Sequence, residues 1–299
     1  MNPISLRNFN AIYHNVVDEM LARWTPAMQE EAGALDIGLY LREATARFYY
    51  AYRSCFGSAR TLCDIGGSFG AFPLVMLKLG FDAATTRTIQ YSSETFDPLF
   101  DYIAGQGVRI LDYDPFIENT PPRDTFDAVT VLSMLDYDPY TLRYVVPNIV
   151  GLMAHDGMLY IEAPNAGVFP RRDSDPAVAA QDVGLPMSID IAGRYAFAID
   201  DLHELADINA LTIVEQTFHN SSRVNLSDPR SLLRHPLQAL LYGVIKHRRE
   251  CIGILCRQNH MLKMFRRTMS EKTRRRRIAD GKERLEDEDA TMHSTADYC

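Results

Sequence analysis

The apolar pair Leu62-Cys63 ends in Asp64. The next six residues, Ile65-Gly66-Gly67-Ser68-Phe69-Gly70, hold three glycines, and the apolar stretch Phe72–Leu79 follows. A buried run, a glycine-rich turn and an apolar helical run in that order predict strand, tight turn and helix. That unit belongs to a parallel sheet, because it turns backbone N–H groups and a helix N-terminus toward one edge. Glycines at 66, 67 and 70 do not form Gly-x-Gly-x-x-Gly. No Gly-Lys-Ser/Thr follows, so a P-loop is excluded.

The rest of the chain repeats the alternation. Strands are predicted at Thr61–Asp64, Thr86–Tyr91, Val108–Asp112, Phe126–Leu132, Gly157–Glu162, Leu211–Thr217 and Glu250–Arg257. Helices are predicted at Phe72–Leu79, Phe96–Ala104 and Thr141–Met153, from Ile199 with Asp200 as its cap, and at about Ser231–Lys246. Strand five is expected to start after a His155-Asp156-Gly157 turn. The fold class that results is α/β: a Rossmann-like, seven-stranded, mostly parallel sheet with helices on both faces. Residues 1–57 read as an N-terminal helical cap, 58–258 as the α/β domain with an insertion at 163–196, and 259–299 as a charged, mobile tail. The aromatics Tyr40, Phe48, Tyr49, Tyr50 and Tyr52 are read as core against the sheet, with a lid over a ligand site as the alternative.

Composition narrows the class of partner. The 299 residues carry a net charge of −8, which makes nucleic acid an unexpected partner despite Arg274–Arg277 in the tail. The five cysteines are scattered and lack metal-ligand spacing, so no metal is expected and a reduced, cytoplasmic setting is. No apolar run reaches membrane-spanning length, and no leader is recognised at the start. Oligomeric state stays open, a homodimer included.

Acid-x-Gly-x-Ser-x-Gly over Asp64–Gly70 resembles the cofactor loop of class I S-adenosylmethionine-dependent methyltransferases. So do Phe126–Leu132 as a fourth strand, Ile149–Ile161 as the run into a fifth, and Glu162-Ala163-Pro164-Asn165 at its end. Arg194-Tyr195-Ala196-Phe197 before Asp200-Asp201-Leu202 resembles the small-molecule branch. The resemblance covers roughly residues 55 to 257. It implies S-adenosylmethionine as cofactor and a small-molecule methyl acceptor, with oxygen favoured over nitrogen or carbon. A protein that keeps the fold as a binding or regulatory module without turnover is the alternative. An RNA methyltransferase is disfavoured by the acidic body.

The resemblance also implies positions. Asp64, Gly66, Gly67, Ser68 and Gly70 would cradle the cofactor, and a Cβ at Gly66 or Gly70 would push it away. The family's ribose-binding acid at the end of strand two is missing. Tyr91 stands in its expected slot, with Ser92 and Glu94 as substitutes. Asp112 and Tyr113 suit the adenine, although Asp112 reads equally as a turn acid. Ser133 and Met134 would line the cofactor's middle. Asp136 and Tyr137 are the candidate catalytic pair, with a helix-capping role as the alternative for Asp136. Arg194 and Tyr195 are the candidate substrate contacts. Among the histidines, His155 and His203 read as structural or solvated, and His219 as an outside candidate for chemistry.

Overall fold

A computed structural model describes residues 3–32, 41–42, 45–57, 59–66, 68–87, 93–118, 120–123, 125–132, 134, 142–166, 188–189, 195–219, 251–262 and 272. Residues Met1–Arg257 form one compact unit and Gln258–Cys299 a second. The described helices are α1 (Leu6–Leu21), α2 (Pro26–Ala32), α3 (Thr45–Cys55), α4 (Ala71–Lys78), α5 (Asp97–Gly105), α6 (Leu142–Gly151) and α7 (Ile199–Ile208). The strands are β1 (Thr61–Ile65), β2 (Asp82–Thr86), β3 (Arg109–Leu111), β4 (Phe126–Leu132), β5 (Met153–Pro164), β6 (Ser188–Ile189), β7 (Tyr195–Ala196), β8 (Leu211–His219) and β9 (Cys251–Gln258).

Seven strands form one sheet in the order β3-β2-β1-β4-β5-β9-β8. The pairs β2–β3, β1–β2, β1–β4 and β4–β5 are parallel, and β9 runs antiparallel to β5. The chain builds outward from β1 to β3, then returns to place β4 on the other side of β1. That reversal makes the β1/β4 boundary a topological switch point, where open α/β sheets hold ligands at the strands' carboxyl ends.

The alternation of side chains along each strand divides the core in two. One layer joins Leu62, Ala128, Met158 and Tyr160 of the sheet to Phe9, Tyr13, Val16 and Val17 of α1, Phe48 and Tyr52 of α3, and Phe72 of α4. The other joins Cys63, Val129, Leu159 and Ile254 to Val145 and Ile149 of α6 and Leu202 and Leu205 of α7. Of the aromatics read as core, Phe48 and Tyr52 are buried, Tyr49 and Tyr50 are half-buried, and Tyr40 lies outside the described residues. Phe48 stacks on Phe72 with ring centroids 5.2 Å apart.

Three local expectations are corrected. Strand two lies at Asp82–Thr86, not Thr86–Tyr91. Its Ala83 and Ala84 carry little strand propensity, but both are fully buried between the two packed faces. Strand five starts at Met153, and the expected turn survives as a bulge in it. Phe126 pairs with Met153 but Ala128 pairs with Met158, so His155-Asp156-Gly157 lies in the slack. At α7 the capping acid is Asp201, not Asp200: buried Asp201 accepts from the Ala198 N–H at 2.7 Å. The base of the 163–196 insertion is tied down where Phe197 N–H donates to Pro164 O and Ala166 N–H to Phe197 O. The helix expected over 231–246 lies outside the described residues.

Candidate functional site

Asp64 stands near the carboxyl end of β1 in register with Thr85 of β2 and Thr130 of β4. Its carboxyl is fully buried. Oδ1 accepts from Thr130 Oγ1 at 2.5 Å, while Oδ2 has no hydrogen-bond partner among the described residues. Burial pushes its pKa up to about 7, against the opposing pull of the Thr130 hydrogen bond and the Arg47 charge. A buried oxygen with nothing donating to it calls for a ligand or a proton.

The turn above Asp64 is left-handed three times over. Gly66 has φ 68°, Phe69 φ 61° and Gly70 φ 83°. Glycine adopts that conformation freely. Phe69 does not, and a strained residue of this kind persists only where its surroundings hold it. Trp24 meets its ring edge-on at 5.1 Å, and Phe96 lies 5.4 Å away. The Gly66 N–H is spent within the protein, on Thr86 Oγ1 at 3.0 Å. Gly70 caps α4 without any side-chain cap, so the first-turn N–H groups of that helix have no capping side chain there. Glycine at 70 also has a reason within the protein. A Cβ there would lie 2.1 Å from Ile103 Cδ1, so helix packing and the positive φ demand glycine at this position.

Other expected positions separate. β2 ends at Thr86, five residues before Tyr91, and neither Thr86 nor Arg87 is an acid. Arg87 donates to Asp97 Oδ1 at 2.5 Å and to Ser93 O at 2.9 Å. Glu94 is exposed at the head of a short 3-10 turn, Glu94–Phe96. Asp112 is exposed, and Tyr113 is buried with its hydroxyl unpartnered, burial pushing the phenol up to about 12. The turn acid proper is Asp114, whose Oδ1 accepts from Phe116 N–H at 2.9 Å. Met134 is buried after β4. Gly67, Tyr91, Ser92, Ser133, Asp136, Tyr137 and Arg194 lie outside the described residues, and only the backbone of Ser68 and Tyr195 is described.

The sequence reading missed a second cluster at the same sheet edge. Glu162 of β5 is fully buried and faces the N-terminal helices. Its Oε1 accepts from Arg47 of α3 through Nε at 2.9 Å and through Nη2, and its Oε2 lies 2.7 Å from His219 Nε2, at the end of β8. Burial alone would raise the Glu162 pKa, but the Arg47 guanidinium and the His219 hydrogen bond outweigh it and hold it at about 2. Tyr50 stacks on the His219 ring at 4.7 Å, and Cys251 Sγ completes a buried trio with Glu162 and His219 whose donor atoms lie within 4.8 Å of one another. Gly253, opposite Glu162 in β9, makes room for Tyr160 and Thr217: a Cβ would lie 2.3 Å from Tyr160 Oη and 2.7 Å from Thr217 Oγ1. His219 was legible only as an outsider. The available signal for Glu162 was an acid closing a buried apolar strand. For Arg47 it was a cation on the aromatic face of a helix.

No protein-family model matches the sequence, and no curated protein does. Solved structures do. A coclaurine N-methyltransferase bound to N-methylheliamine and S-adenosylhomocysteine matches 85% of this chain and 95% of its own at 11% identity, TM-score 0.50. The glycopeptide N-methyltransferase MtfA complexed with S-adenosylmethionine matches 72% and 94% at 11% identity, TM-score 0.49. The N-methyltransferase NodS from Bradyrhizobium japonicum WM9 matches 83% and 98% at 14% identity, TM-score 0.46. At 11% identity the first likeness speaks to architecture alone: this chain has the Rossmann-like fold that the coclaurine N-methyltransferase has.

Proposed function

We propose that this chain is an S-adenosylmethionine-dependent methyltransferase acting on a small molecule through a hydroxyl or an amine, with the hydroxyl favoured. The observation that carries the reading is the left-handed turn at Gly66, Phe69 and Gly70, set at the β1/β4 switch point above a buried Asp64 whose Oδ2 lacks a donor. The residues present fit a nucleoside carrying an ammonium group. Asp64 offers an acceptor, the turn and the N-terminus of α4 offer backbone donors, and Tyr113 and Met134 offer apolar surface on the other side of the sheet. Gly67, Ser68, Asp112 and Ser133 are assigned to the same cradle by the family pattern. The cofactor, when bound, supplies a methyl group on a good leaving group, so the protein's task is mainly to align the acceptor and accept its proton.

Isothermal calorimetry of the full chain with S-adenosylmethionine and S-adenosylhomocysteine tests the reading. Binding in the micromolar range is expected. Absence of binding at millimolar cofactor would refute it. The missing acid after β2 favours a second reading, a binding module without turnover. Tritiated methyl transfer to a panel of phenols, catechols, sugars and amines separates the two.

A further inference from the structure

We propose that His219 takes the proton from the methyl acceptor, with Glu162 fixing its tautomer and Arg47 keeping Glu162 ionised. The inference rests on the methyltransferase reading and names the residue that would do the proton chemistry within it.

An ionised carboxylate only accepts. Glu162 Oε1 is taken by the Arg47 guanidinium, and Oε2 lies 2.7 Å from His219 Nε2. Nε2 must therefore carry a hydrogen. In the neutral imidazole, Nδ1 is then a bare lone pair, and it is buried with no hydrogen-bond partner among the described residues. Tyr50 stacked on the ring holds its plane. His219 closes β8 and Glu162 lies near the end of β5, on the sheet edge that carries the Asp64 turn. The charges and titratable groups around the imidazole come from four elements: Arg47 and Tyr50 of α3, Glu162 and Tyr160 of β5, Cys251 of β9 and, further along the row, Asp64 of β1. Arg47 and Glu162 cancel. An anionic acceptor gains nothing from that pair, whereas a neutral O–H or N–H donor satisfies Nδ1.

The proton step balances. The acceptor's O–H or N–H bond breaks, the hydrogen bonds to the Nδ1 lone pair, and the electron pair stays on the oxygen or nitrogen; that atom would bond to the sulfonium methyl carbon as the carbon–sulfur bond breaks, its electron pair leaving on the thioether sulfur. The imidazolium that forms sits against the Glu162 carboxylate. General-base assistance of this kind contributes about 10²–10⁴-fold.

The test begins on the ligand-free full chain labelled with ¹⁵N-histidine, read by multiple-bond ¹H–¹⁵N correlation, with His219→Gln identifying the resonances. We expect the His219 hydrogen on Nε2, with Nδ1 bare. In Glu162→Gln the new amide donates to Nε2, so the proton is expected to move to Nδ1, a change that a purely space-filling histidine would not report. His219→Gln preserves a donor toward Glu162 but no base. It should bind S-adenosylhomocysteine within about two-fold of wild type, lose at least about 100-fold in kcat on acceptors from the panel, and lose the acidic limb of the pH profile. Three results would overturn the proposal: a wild-type His219 carrying its proton on Nδ1 or on both nitrogens, stoichiometric zinc held by Glu162, His219 and Cys251, or a His219→Gln turnover within a few-fold of wild type. Failure of S-adenosylhomocysteine to bind wild type would instead strike the methyltransferase reading, and the tautomer would still be decided.

Discussion

Replacing Arg47 by alanine removes the cation from a pair whose side chains are 5% and 0% exposed, leaving the Glu162 carboxylate buried without its guanidinium partner. Breaking a buried pair from one side costs about 3–5 kcal/mol, because the stranded charge keeps its desolvation penalty. The carboxylate's own titration gives a second figure. Its pKa of about 2 in the folded chain lies below the ordinary 4.5, and each unit is worth about 1.4 kcal/mol, so ionised Glu162 contributes about 3 kcal/mol. That stability is fully present above pH 4.5 and is lost as pH falls toward 2. Arg47→Ala should therefore be about 3–5 kcal/mol less stable than wild type at pH 7, and the gap should close between pH 4.5 and 2, where wild type alone gives up its advantage. For the 257-residue unit this corresponds to a fall of roughly 6–20 °C in Tm. Urea melts at 25 °C and stepped pH suit the measurement. Trp24 is the only tryptophan, and its indole packs on Phe69 and Phe96, so its fluorescence reports the turn itself. A gap under about 1 kcal/mol at pH 7, or one that does not shrink in acid, would refute the account of Glu162 as a buried ion held by Arg47.

Asp64 titrates in the opposite sense. Its folded pKa of about 7 exceeds the ordinary 3.8, so wild-type stability should drain by about 4 kcal/mol as pH rises from about 4 to 7. Asp64→Asn should abolish that slope in urea melts, raising stability at pH 8 while weakening S-adenosylmethionine binding in calorimetry. Gly70→Ala forces a Cβ into the left-handed region, about 1–2 kcal/mol, and against Ile103 Cδ1, a further 1–3 kcal/mol. Ile103→Val removes the struck atom, so a double-mutant cycle should recover the packing part and not the backbone part. Asp201→Ala removes the acceptor for the Ala198 N–H and should cost about 1 kcal/mol by the same melts, with Asp200→Ala near zero.

What the sequence shows plainly is what backbone chemistry dictates locally. The Asp64–Gly70 bend was legible because glycines at 66 and 70 answer to positive φ within a few residues. The apolar runs of β4 and β9 were legible because burial on both faces leaves an unbroken hydrophobic signature. β2 was displaced because Asp82-Ala83-Ala84-Thr85-Thr86 has almost none of that signature, while the β-branched and aromatic residues just after it do. Its alanines are strand because two helical layers leave no room for more, a fact of packing. The Arg47–Glu162 pair spans 115 positions, and nothing local to either residue announces the other. Arg47 alone, in a helix of aromatics, looks like a solvated cation, and Glu162 alone looks like a strand terminus.

The N-terminal helices do more than cover the sheet. α3 supplies the cation that lets Glu162 stay ionised inside the protein, and the ring that stacks on His219. α1 and α3 supply the aromatic layer on which α4 rests, and Trp24 braces the strained Phe69 of the turn. The Asp64 turn and the Glu162 cluster are thus organised by the same sixty residues, and they share a field: the Arg47 charge pulls the Asp64 pKa down while Glu162 pushes it up. A change at one end of that polar row is felt at the other, since charges interact more strongly in a buried, low-dielectric setting than in water. Occupying the Asp64 end with a cationic ligand group would favour the ionised carboxylate there. The proposed cofactor cradle and the Glu162 cluster are therefore electrostatically coupled through the core of the sheet.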